Sequence, residues 1–580
     1  MTNRTKPHKG SKHGFEVLHD PQLNQSTAFT EAERKTLGLV GLLPEITETM
    51  ETQLTRVLLQ LKSKDSDLER FIYLMSLLDT NQTLFYRTLK SDPARFLEIV
   101  YDPTIGEACL KFDQIFRRPR GMYLSIKHKG HVKEVLRNWP VADVRFICVT
   151  NGGRILGLGD LGANGMGIPI GKLQLYTAAA SVPPEGLLPI FLDVGTNNET
   201  CLKDPLYLGL RQHRPPSEEL YLFVDEFVEA VQEVFPNCCI HFEDWTGVDA
   251  VALLARYRNK VCCYNDDIQG TAGVVLAGLI NALKITGGQL KDQRILFVGA
   301  GSAAVGLADL IVSALGQQGV APEEARQKIR MFDTQGLVVA GRPGLAAHKL
   351  PYAYKGRPSA PFNHLDAASE CPQIVAAIEE FQPTAIFGVS GKALPAGAGR
   401  LFSREVVEAM ARCSERPIIF ALSNPTEHHE CLAEEAYTWT EGKAVYAGGV
   451  QLPPVHLDGQ TYLPSQANNL YIFPAVGMAI YATNAKLVTD DMFIEAAQAV
   501  ADQVTPEQLR LGMLFPPQSN ILEVETKTAV RVAELIFNRG LARVPRPKDV
   551  LALIESHAYQ PNYPDWAAET VSNTKLRRAA

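Results

Sequence analysis

The sequence lacks the patterns that would assign it to nucleic acid, to a membrane or to an oxidising compartment. Its formal net charge is -7, which gives no general electrostatic attraction to nucleic acid or to an acidic membrane surface. Gly, Pro or charged residues interrupt its apolar runs before the ~20 residues that a bilayer-spanning helix needs. The ten cysteines form no C-x₂-C pairs, which predicts reduced, buried thiols rather than a disulfide or zinc framework. We therefore expect no nucleic-acid or membrane partner.

The amino-terminal segment also lacks a targeting pattern. The first fourteen residues carry Lys, His and Arg and no acid, but they have neither the apolar core of a secretory signal nor the Arg/Ser pattern of a transit peptide. We expect a disordered lead-in, and a cytoplasmic location is favoured over the mitochondrial matrix.

The chain is long enough for several hydrophobic cores. Its 580 residues exceed the size of one domain, and its 46% hydrophobic content is ordinary for a globular protein. Apolar residues recur three and four apart from Met50 to Leu61 and from Leu68 to Leu78, and Thr30–Glu33 opens like a capping box, which predicts amino-terminal helices. The predicted fold class is α/β, with a helical region over 1–118, an α/β substrate domain over 119–268 that about 455–530 completes, a Rossmann-type dinucleotide-binding domain over 269–454, and a helical tail over 531–580.

Two pairs of adjacent acids follow strand-like apolar runs. Glu243–Asp244 follows Cys239–Phe242, and Asp266–Asp267 follows Val261–Tyr264. Adjacent acids near a core are costly unless a cation compensates them, and their hard oxygen ligands suit Mg²⁺ or Mn²⁺. Because ligands bind at the carboxyl ends of strands in open α/β sheets, the two pairs are predicted to converge on one cation. The alternative interpretation is two solvated loops with ordinary surface acids.

Three single residues are candidates for acting on a substrate. Arg154 follows a strand and carries a planar guanidinium that binds carboxylates bidentately. Lys172 is predicted at the start of a helix, where the macrodipole would lower its pKa toward use as a base. Tyr101 is predicted at a strand-to-loop edge before a proline turn. The structural alternatives are a solvated Arg, a snorkelling Lys and an amphipathic Tyr with a wet hydroxyl.

Two glycine motifs fit the dinucleotide pattern, but only the second has the right context. The motif over Gly157–Gly162 continues into a further glycine-rich loop instead of opening a helix, which predicts close approach of the backbone to a small ligand. The second motif follows the strand Arg294–Val298 and opens an apolar helix, whose amino terminus would bind phosphates. The predicted cofactor contacts in this loop are Gly299, Gly301, Ser302, Ala303 and Ala304.

Further polar residues end later strands. Asp333 ends the strand after the glycine loop, where an acid would hydrogen-bond the ribose diol and repel a 2′-phosphate; this predicts NAD as the cofactor. Arg342, His348 and Lys349 lie downstream and could meet a phosphate, which leaves NADP as the alternative. Asn424 follows another buried strand, although an Asn-Pro turn by itself is usually only a turn. Asn468–Asn469 resembles a further ligand-facing edge.

Together these stretches resemble the malic enzyme family. The matching runs lie in the family's order over nearly the whole chain: Gly41–Pro44, Val100–Thr104, Ile155–Gly162, Gly165–Lys172, Phe242–Trp245, Tyr264–Ala272, Leu422–Thr426 and Asn468–Asn469. The Asn-Asp-Asp-Ile-Gln-Gly-Thr string is highly specific, whereas the glycine motifs alone are not.

The resemblance implies a metal-binding oxidoreductase that decarboxylates malate with NAD. Its metal ligands for Mn²⁺ or Mg²⁺ would be Glu243, Asp244 and Asp267, and Asp266 behind them would orient Lys172. By this resemblance Lys172 takes the hydroxyl proton as hydride leaves C2, and the resulting oxaloacetate loses CO₂.

The resemblance also assigns the remaining site residues. Tyr101 would protonate C3 of the enol to give pyruvate. Arg154 would bind a malate carboxylate, and Asn424 and Asn469 would line the malate and nicotinamide site. The implied cofactor contacts also include Arg154, Asp267, Asn424 and Asn468. The implied assembly is a homodimer or homotetramer that uses the amino-terminal helices as its contact surface.

Some residues depart from the family pattern and keep alternatives open. Asp102 stands where the family usually has Thr, and Asn151–Gly153 stands where it usually has Asp-Gly-Glu. Val100–Pro103 and Gln466–Asn469 resemble the malolactic enzymes, which convert malate to lactate with NAD kept bound; Arg154 is malic-like. An alternative of another class is a non-catalytic, nucleotide-binding regulatory protein on the same fold.

Overall fold

The computed structural model describes residues 12–356, 370–391, 400–424 and 426–564. By the proximity of their Cα atoms, the residues form two compact units, Met1–Pro119 with Tyr559–Ala580, and Arg120–Ala558. Most of the expected lead-in and the end of the expected helical tail, 565–580, lie outside the described residues. The side chains of nine of the ten cysteines are described; all nine are free and eight are buried.

The first unit is helical over the residues that the structure describes. Its capping box is formed, since the Thr30 hydroxyl accepts from the Glu33 amide and the Glu33 carboxylate accepts from the Thr30 amide. Leu61, Leu74 and Phe85 are fully buried between the helices. The α-helices are Phe15–Leu18, Glu31–Leu37, Met50–Lys62, Asp67–Thr80, Gln82–Ser91, Pro93–Val100, Thr104–Leu110 and Phe112–Ile115.

Tyr101 lies in this unit, immediately after the helix Pro93–Val100. The prediction of a strand-to-loop edge was therefore wrong. Pro93 occupies the first helical turn, where its missing N–H costs nothing, and Phe96, Ile99 and Val100 recur at helical spacing on a buried face. Tyr101 itself is buried.

The second unit contains a five-stranded sheet whose strands all run parallel. Its strands are β1 (Met122–Ser125), β2 (Phe146–Thr150), β3 (Leu187–Asp193), β4 (Cys239–Phe242) and β5 (Cys263–Asn265), in the order β1-β3-β2-β4-β5. Every residue of β2 to β5 is buried, as expected for a parallel sheet covered on both faces. The carboxyl ends of β2, β4 and β5 are therefore neighbours.

The same unit contains a seven-stranded sheet, and a separate two-stranded hairpin. The strands are β6 (Ile295–Val298), β7 (Ile329–Asp333), β8 (Gly336–Leu337), β9 (Ala385–Gly388), β10 (Ile418–Ala421), β11 (Val445–Gly448), the hairpin β12 (Val455–Leu457) and β13 (Gln460–Tyr462), and β14 (Ser465–Gln466). The order is β14-β11-β10-β9-β6-β7-β8, and only the edge strand β8 is antiparallel. The strand order reverses between β6 and β9, which is where open α/β sheets bind ligands.

Helices pack around both sheets. They are Val132–Leu136, Gly167–Ala180, Glu199–Lys203, Ser217–Val234, Gly247–Tyr257, Thr271–Thr286, Ser302–Gln317, Pro322–Gln327, Glu370–Phe381, Arg404–Cys413, Ala433–Trp439, Phe473–Thr483, Asp490–Ala501, Pro506–Arg510, Ile521–Asn538 and Val550–His557. The predicted fold class, a helical amino-terminal region with α/β domains and a Rossmann-type sheet, is confirmed.

One helical run is longer than the sequence led us to expect. Within the described residues, Asp266–Thr286 is 21 residues long and apolar enough to cross a membrane, but 78% of its most apolar window is buried inside the protein. The helix continues through Gly278, which is buried against the ring of Phe515, 3.0 Å from where an added Cβ would lie. The expectation that every apolar run ends early was wrong here; the length and burial are those of a core helix.

Candidate active site

Three carboxylates converge at the carboxyl ends of β4 and β5. One oxygen each of Glu243, Asp244 and Asp267 lies within 4.8 Å of the others. Glu243 and Asp244 are buried, and Asp267 is half-buried. Asp267 belongs to a π-helical turn, Asp266–Gly270, that follows β5, and not to the strand itself. The structure thus brings together the three residues that the sequence predicts as metal ligands.

The backbone around these acids is held in an unusual conformation. Asp244 has φ 54°, in the left-handed region that Asp tolerates better than most residues. Its amide donates to Oδ2 of Asp267 at 2.9 Å, and its Oδ1 accepts from the Leu156 amide at 3.4 Å. At Gly270 an added Cβ would lie 1.7 Å from Oδ1 of Asp266, so only glycine lets that carboxylate fold over its own turn.

The donor set fits a hard divalent cation. Burial raises the pKa of Glu243 and of Asp267 to about 8, and neighbouring carboxylates add to this effect. Burial, Asp267 and Glu243 raise the pKa of Asp244 well above its usual range. Oδ2 of Asp244 is buried without a hydrogen-bond partner among the described residues. Mutually repelling, desolvated oxygens of this kind suit Mg²⁺ or Mn²⁺.

The raised pKa values of these carboxyls predict how the thermal stability of the protein depends on pH when a chelator has removed divalent cations. A carboxyl whose pKa is about 8 in the folded state and about 4 in the unfolded chain stabilises the fold below pH 4, and this contribution is lost as pH rises through 8. We expect the melting temperature in EDTA to fall between pH 5 and pH 8 by less in Asp267→Asn than in the parent. Mn²⁺ should remove the fall in melting temperature in the parent and leave it unchanged in Asp267→Asn, which lacks one of the three metal ligands. Equal slopes without metal would contradict the prediction.

Lys172 lies beside the carboxylates. Its Nζ is 2.5 Å from Oδ2 of Asp266 and 3.1 Å from Oε1 of Glu243, and its side chain is 4% exposed. The ammonium also lies 4.3 Å from the ring centroid of Phe473. Burial by itself would lower the pKa of Lys172, but Asp266 and Glu243 raise it above its ordinary value.

The predicted environment of Lys172 was wrong in two respects. The helix begins at Gly167, so Lys172 lies in the second turn rather than at the start. Pro169 does not delay the helix, because proline is accommodated in a first turn. The pKa of Lys172 is raised, because Asp266 and Glu243 lie within ion-pair distance of its ammonium, whereas the macrodipole was predicted to lower it.

Asn469 contacts Asp266. Its Nδ2 donates to Oδ2 of Asp266 at 3.0 Å, so one carboxylate oxygen receives both this amide and the Lys172 ammonium. Asn468 caps the short helical turn that follows it, because its Oδ1 accepts from the Leu470 amide at 2.9 Å. The substrate and cofactor roles of the two asparagines stay predictions.

Arg154 lies between the acid cluster and the dinucleotide-binding sheet. Its amide donates to the Asp244 carbonyl at 3.3 Å, and its side chain is exposed. A Cβ added at Gly247 would lie 3.8 Å from Nη1, and one added at Gly391 would lie 3.5 Å from Nη2. The Gly391 amide donates at 2.9 Å to Ser423, whose neighbour Asn424 is half-buried. Pro425 lies outside the described residues.

The glycine loop after β6 has the geometry that a dinucleotide site requires. Gly299 has φ 121°, and an added Cβ would lie 2.5 Å from the Val389 carbonyl at the β6–β9 reversal. At Gly301 an added Cβ would meet no atom within 4 Å, so this backbone is open to a pyrophosphate. Ser302 and Ala303 begin the helix Ser302–Gln317, and Ala304 is fully buried in it.

Asp333 is compensated by two cations. Arg342 contacts its Oδ2, and Nζ of Lys349 lies 2.7 Å from the same oxygen. Burial would raise the pKa of Asp333, but Lys349 and Arg342 hold it below its ordinary value. The argument from sequence that an uncompensated acid repels a 2′-phosphate therefore loses its physical basis.

Sequence reasoning missed the residue behind Glu243. His241 is fully buried in β4, and its Nε2 lies 2.6 Å from Oε2 of Glu243. Burial lowers the pKa of this imidazole to about 3. The period of two in a strand could have found it, since residues 241 and 243 point to the same face.

A Rossmann-type sheet next to three converging carboxylates and a buried lysine defines the class: an α/β protein with a glycine loop suited to a dinucleotide and a candidate metal site. Two family models match the chain, "Malic enzyme, N-terminal domain" over residues 78–258 and "Malic enzyme, NAD binding domain" over residues 268–537. The chain belongs to the malic enzyme family.

Curated relatives match over nearly the whole chain. A protein of Anas platyrhynchos named NADP-dependent malic enzyme is 44% identical over 562 residues, which is 96% of this chain and 98% of the relative. One of Homo sapiens with the same name is 44% identical over 553 residues, 95% of this chain and 94% of the relative.

Solved structures share the fold. A malic enzyme of Entamoeba histolytica matches with a TM-score of 0.55 at 23% identity, over 83% of each chain. A malic enzyme of Pyrococcus horikoshii matches with a TM-score of 0.51 at 24% identity, over 80% of this chain and 87% of that chain.

Proposed function

We propose that this chain catalyses the metal-dependent oxidative decarboxylation of malate to pyruvate and CO₂ with reduction of a nicotinamide cofactor. The observation that carries the proposal is the convergence of Glu243, Asp244 and Asp267 beside Lys172. Membership of the malic enzyme family and the names of the relatives support it. A cytoplasmic location and a homodimeric or homotetrameric assembly stay proposals drawn from the sequence.

The chain's own residues have distinct parts in the proposed reaction. Arg154 binds a malate carboxylate, and Lys172 accepts the proton of the C2 hydroxyl. When bound, the divalent cation supplies Lewis-acid stabilisation of the C2 oxygen and the nicotinamide accepts the hydride. Asp266 and Asn469 hold the lysine in place, and ligation of Glu243 would remove one of the charges that keep it protonated. Proton donation to C3 by Tyr101 stays a prediction.

Identifying the products formed from malate tests this proposal. The purified chain, given malate, Mn²⁺ and NAD or NADP, should release reduced cofactor and pyruvate in equal amounts. Lactate without free reduced cofactor would select the malolactic alternative. Nucleotide binding without turnover of malate would select the regulatory protein.

The geometry favours NADP as the preferred cofactor. Arg342 and Lys349 meet at Asp333, the acid that ends β7 next to the glycine-loop strand, and two cations against one carboxylate leave a net positive charge there. A positive charge attracts a 2′-phosphate, whereas the lone acid assumed from the sequence would repel it. The relatives' names support the same choice. The NAD preference predicted from the sequence competes with this proposal, and kinetics decides between them.

Replacing Lys349 by alanine should therefore lower catalytic efficiency with NADP and not with NAD. We expect kcat/KM for NADP to fall by about 10–100-fold, the size of a lost charge-assisted hydrogen bond, with little change for NAD. Steady-state kinetics with both cofactors measures this. Lys355→Ala is the matched control, since Lys355 is exposed and pairs with Glu323. An equal loss for both cofactors, or a parent that prefers NAD, would count against the proposal.

A further inference from the structure

A buried polar cluster lies behind the acid site. The ring of His241 is fully enclosed, with Tyr176 and Tyr264 on one nitrogen and Glu243 on the other. Nδ1 lies 2.9 Å from the Tyr176 hydroxyl and 3.1 Å from the Tyr264 hydroxyl, and the two hydroxyls contact each other. Phe473 closes the cluster, with its ring centroid 5.8 Å from that of His241.

The hydrogen-bond inventory of these groups assigns the proton on the imidazole. Glu243 must be ionised to bind a metal, and an ionised carboxylate can only accept, so in the metal-binding state Nε2 of His241 carries the hydrogen that it shares with Oε2 of Glu243. Nδ1 is then an acceptor in the neutral ring, and either tyrosine hydroxyl can donate to it. Two donors thus compete for one acceptor, and either one is sufficient to hold this tautomer.

The cluster holds Glu243 from both sides. Oε2 receives the imidazole N–H, and Oε1 faces the Lys172 ammonium at 3.1 Å. The terminal torsion of a glutamate is soft, so without the imidazole the carboxylate can rotate toward its strongest partner, Lys172. A carboxylate that pairs with an ammonium is a poorer ligand for a cation.

We propose that His241 is a positioning residue that fixes the Glu243 carboxylate for metal binding, and that Tyr176 and Tyr264 redundantly fix the tautomer of His241. The inference rests on the proposed function, because it takes Glu243 as a metal ligand. It gives a role to three residues to which neither the sequence motifs nor the resemblance assigned one. Supporting hydrogen bonds of this kind affect metal affinity by 10–100-fold.

The experiment measures Mn²⁺ binding to the full chain without malate or nucleotide, from the electron paramagnetic resonance signal of free Mn²⁺. His241→Leu removes the N–H donor and should weaken Mn²⁺ binding by about 10–100-fold. His241→Gln keeps an N–H donor and should recover most of the affinity. Tyr176→Phe and Tyr264→Phe should each change little, whereas the double variant should approach His241→Leu.

The controls separate this inference from the proposed function and from a merely structural role. Asp267→Asn should abolish Mn²⁺ binding; if the parent itself binds none, the proposed function fails. Thermal unfolding in EDTA checks that each variant folds. If His241→Leu does not fold, the affinities of His241→Gln and of the double Tyr→Phe variant test the inference instead. An unchanged Mn²⁺ affinity in a folded His241→Leu, or equal affinities of the Leu and Gln variants, would overturn the inference. Nitrogen hyperfine coupling to bound Mn²⁺ that His241→Leu removes would also overturn it, since His241 would then be a ligand.

Discussion

Replacing Lys172 by methionine should lower kcat for malate by about 10²–10⁴-fold, the usual contribution of a positioned general base. The Lys172 side chain is 4% exposed and forms ion pairs with Asp266, at 2.5 Å, and with Glu243. Among the described residues, no other cation forms an ion pair with Asp266, so no second base can replace Lys172 there. Decarboxylation of added oxaloacetate should persist, because that step removes no proton from the C2 hydroxyl. The rate of reduced-cofactor formation measures the oxidation of malate, and the rate of oxaloacetate loss measures the decarboxylation step.

The same substitution should also destabilise the protein, because Asp266 would remain buried without its ammonium. Removing one partner of a buried ion pair costs about 3–5 kcal/mol. Combining Lys172→Met with Asp266→Asn should restore most of the stability and none of the malate activity. Lys203→Met, on the surface, is the control and should change neither quantity. Malate oxidation near the parent rate in a folded Lys172→Met would remove Lys172 from the proposed mechanism.

Replacing Asp267 by asparagine should lower kcat/KM by about 10³-fold or more, since a catalytic metal supplies several kcal/mol of charge stabilisation. The expected cause is the loss of Mn²⁺ binding, because Glu243 and Asp244 alone are too few ligands for a hard cation. Without metal the variant should melt at a higher temperature than the parent at pH 8, because one repelling carboxylate is gone.

These opposite effects on metal binding and on metal-free stability distinguish a ligand from an ordinary structural acid. Calorimetric titration with Mn²⁺ and thermal unfolding in EDTA measure them. Asp225→Asn is the control: Asp225 pairs with Arg256, apart from the acid cluster, and its replacement should leave Mn²⁺ affinity unchanged. Parental Mn²⁺ affinity in Asp267→Asn would show that the three carboxylates do not form the metal site.

Much of the fold could be predicted because its signals are local. The run Arg294–Val298 predicted a strand, and β6 is Ile295–Val298; the glycine loop after it opens the predicted helix. Tyr101 shows the limit of the same reasoning. A short apolar run fits a strand or a buried helix equally well, and the packing of the helix Pro93–Val100 decided between them.

By itself the sequence determined the family, the parallel strands and the residue types that converge at their ends, because strand periodicity, the glycine loop and paired acids are properties of neighbouring residues. Only the tertiary structure decided which charges meet. Asp333 pairs with Lys349, Lys172 lies against Asp266, and His241 contacts Glu243 beneath two tyrosines. The first two pairs are 16 and 94 residues apart in the chain, and Tyr176 and Tyr264 lie 65 and 23 residues from His241. The energy of a charge depends on the atoms within a few ångströms of it, and only folding brings those atoms together.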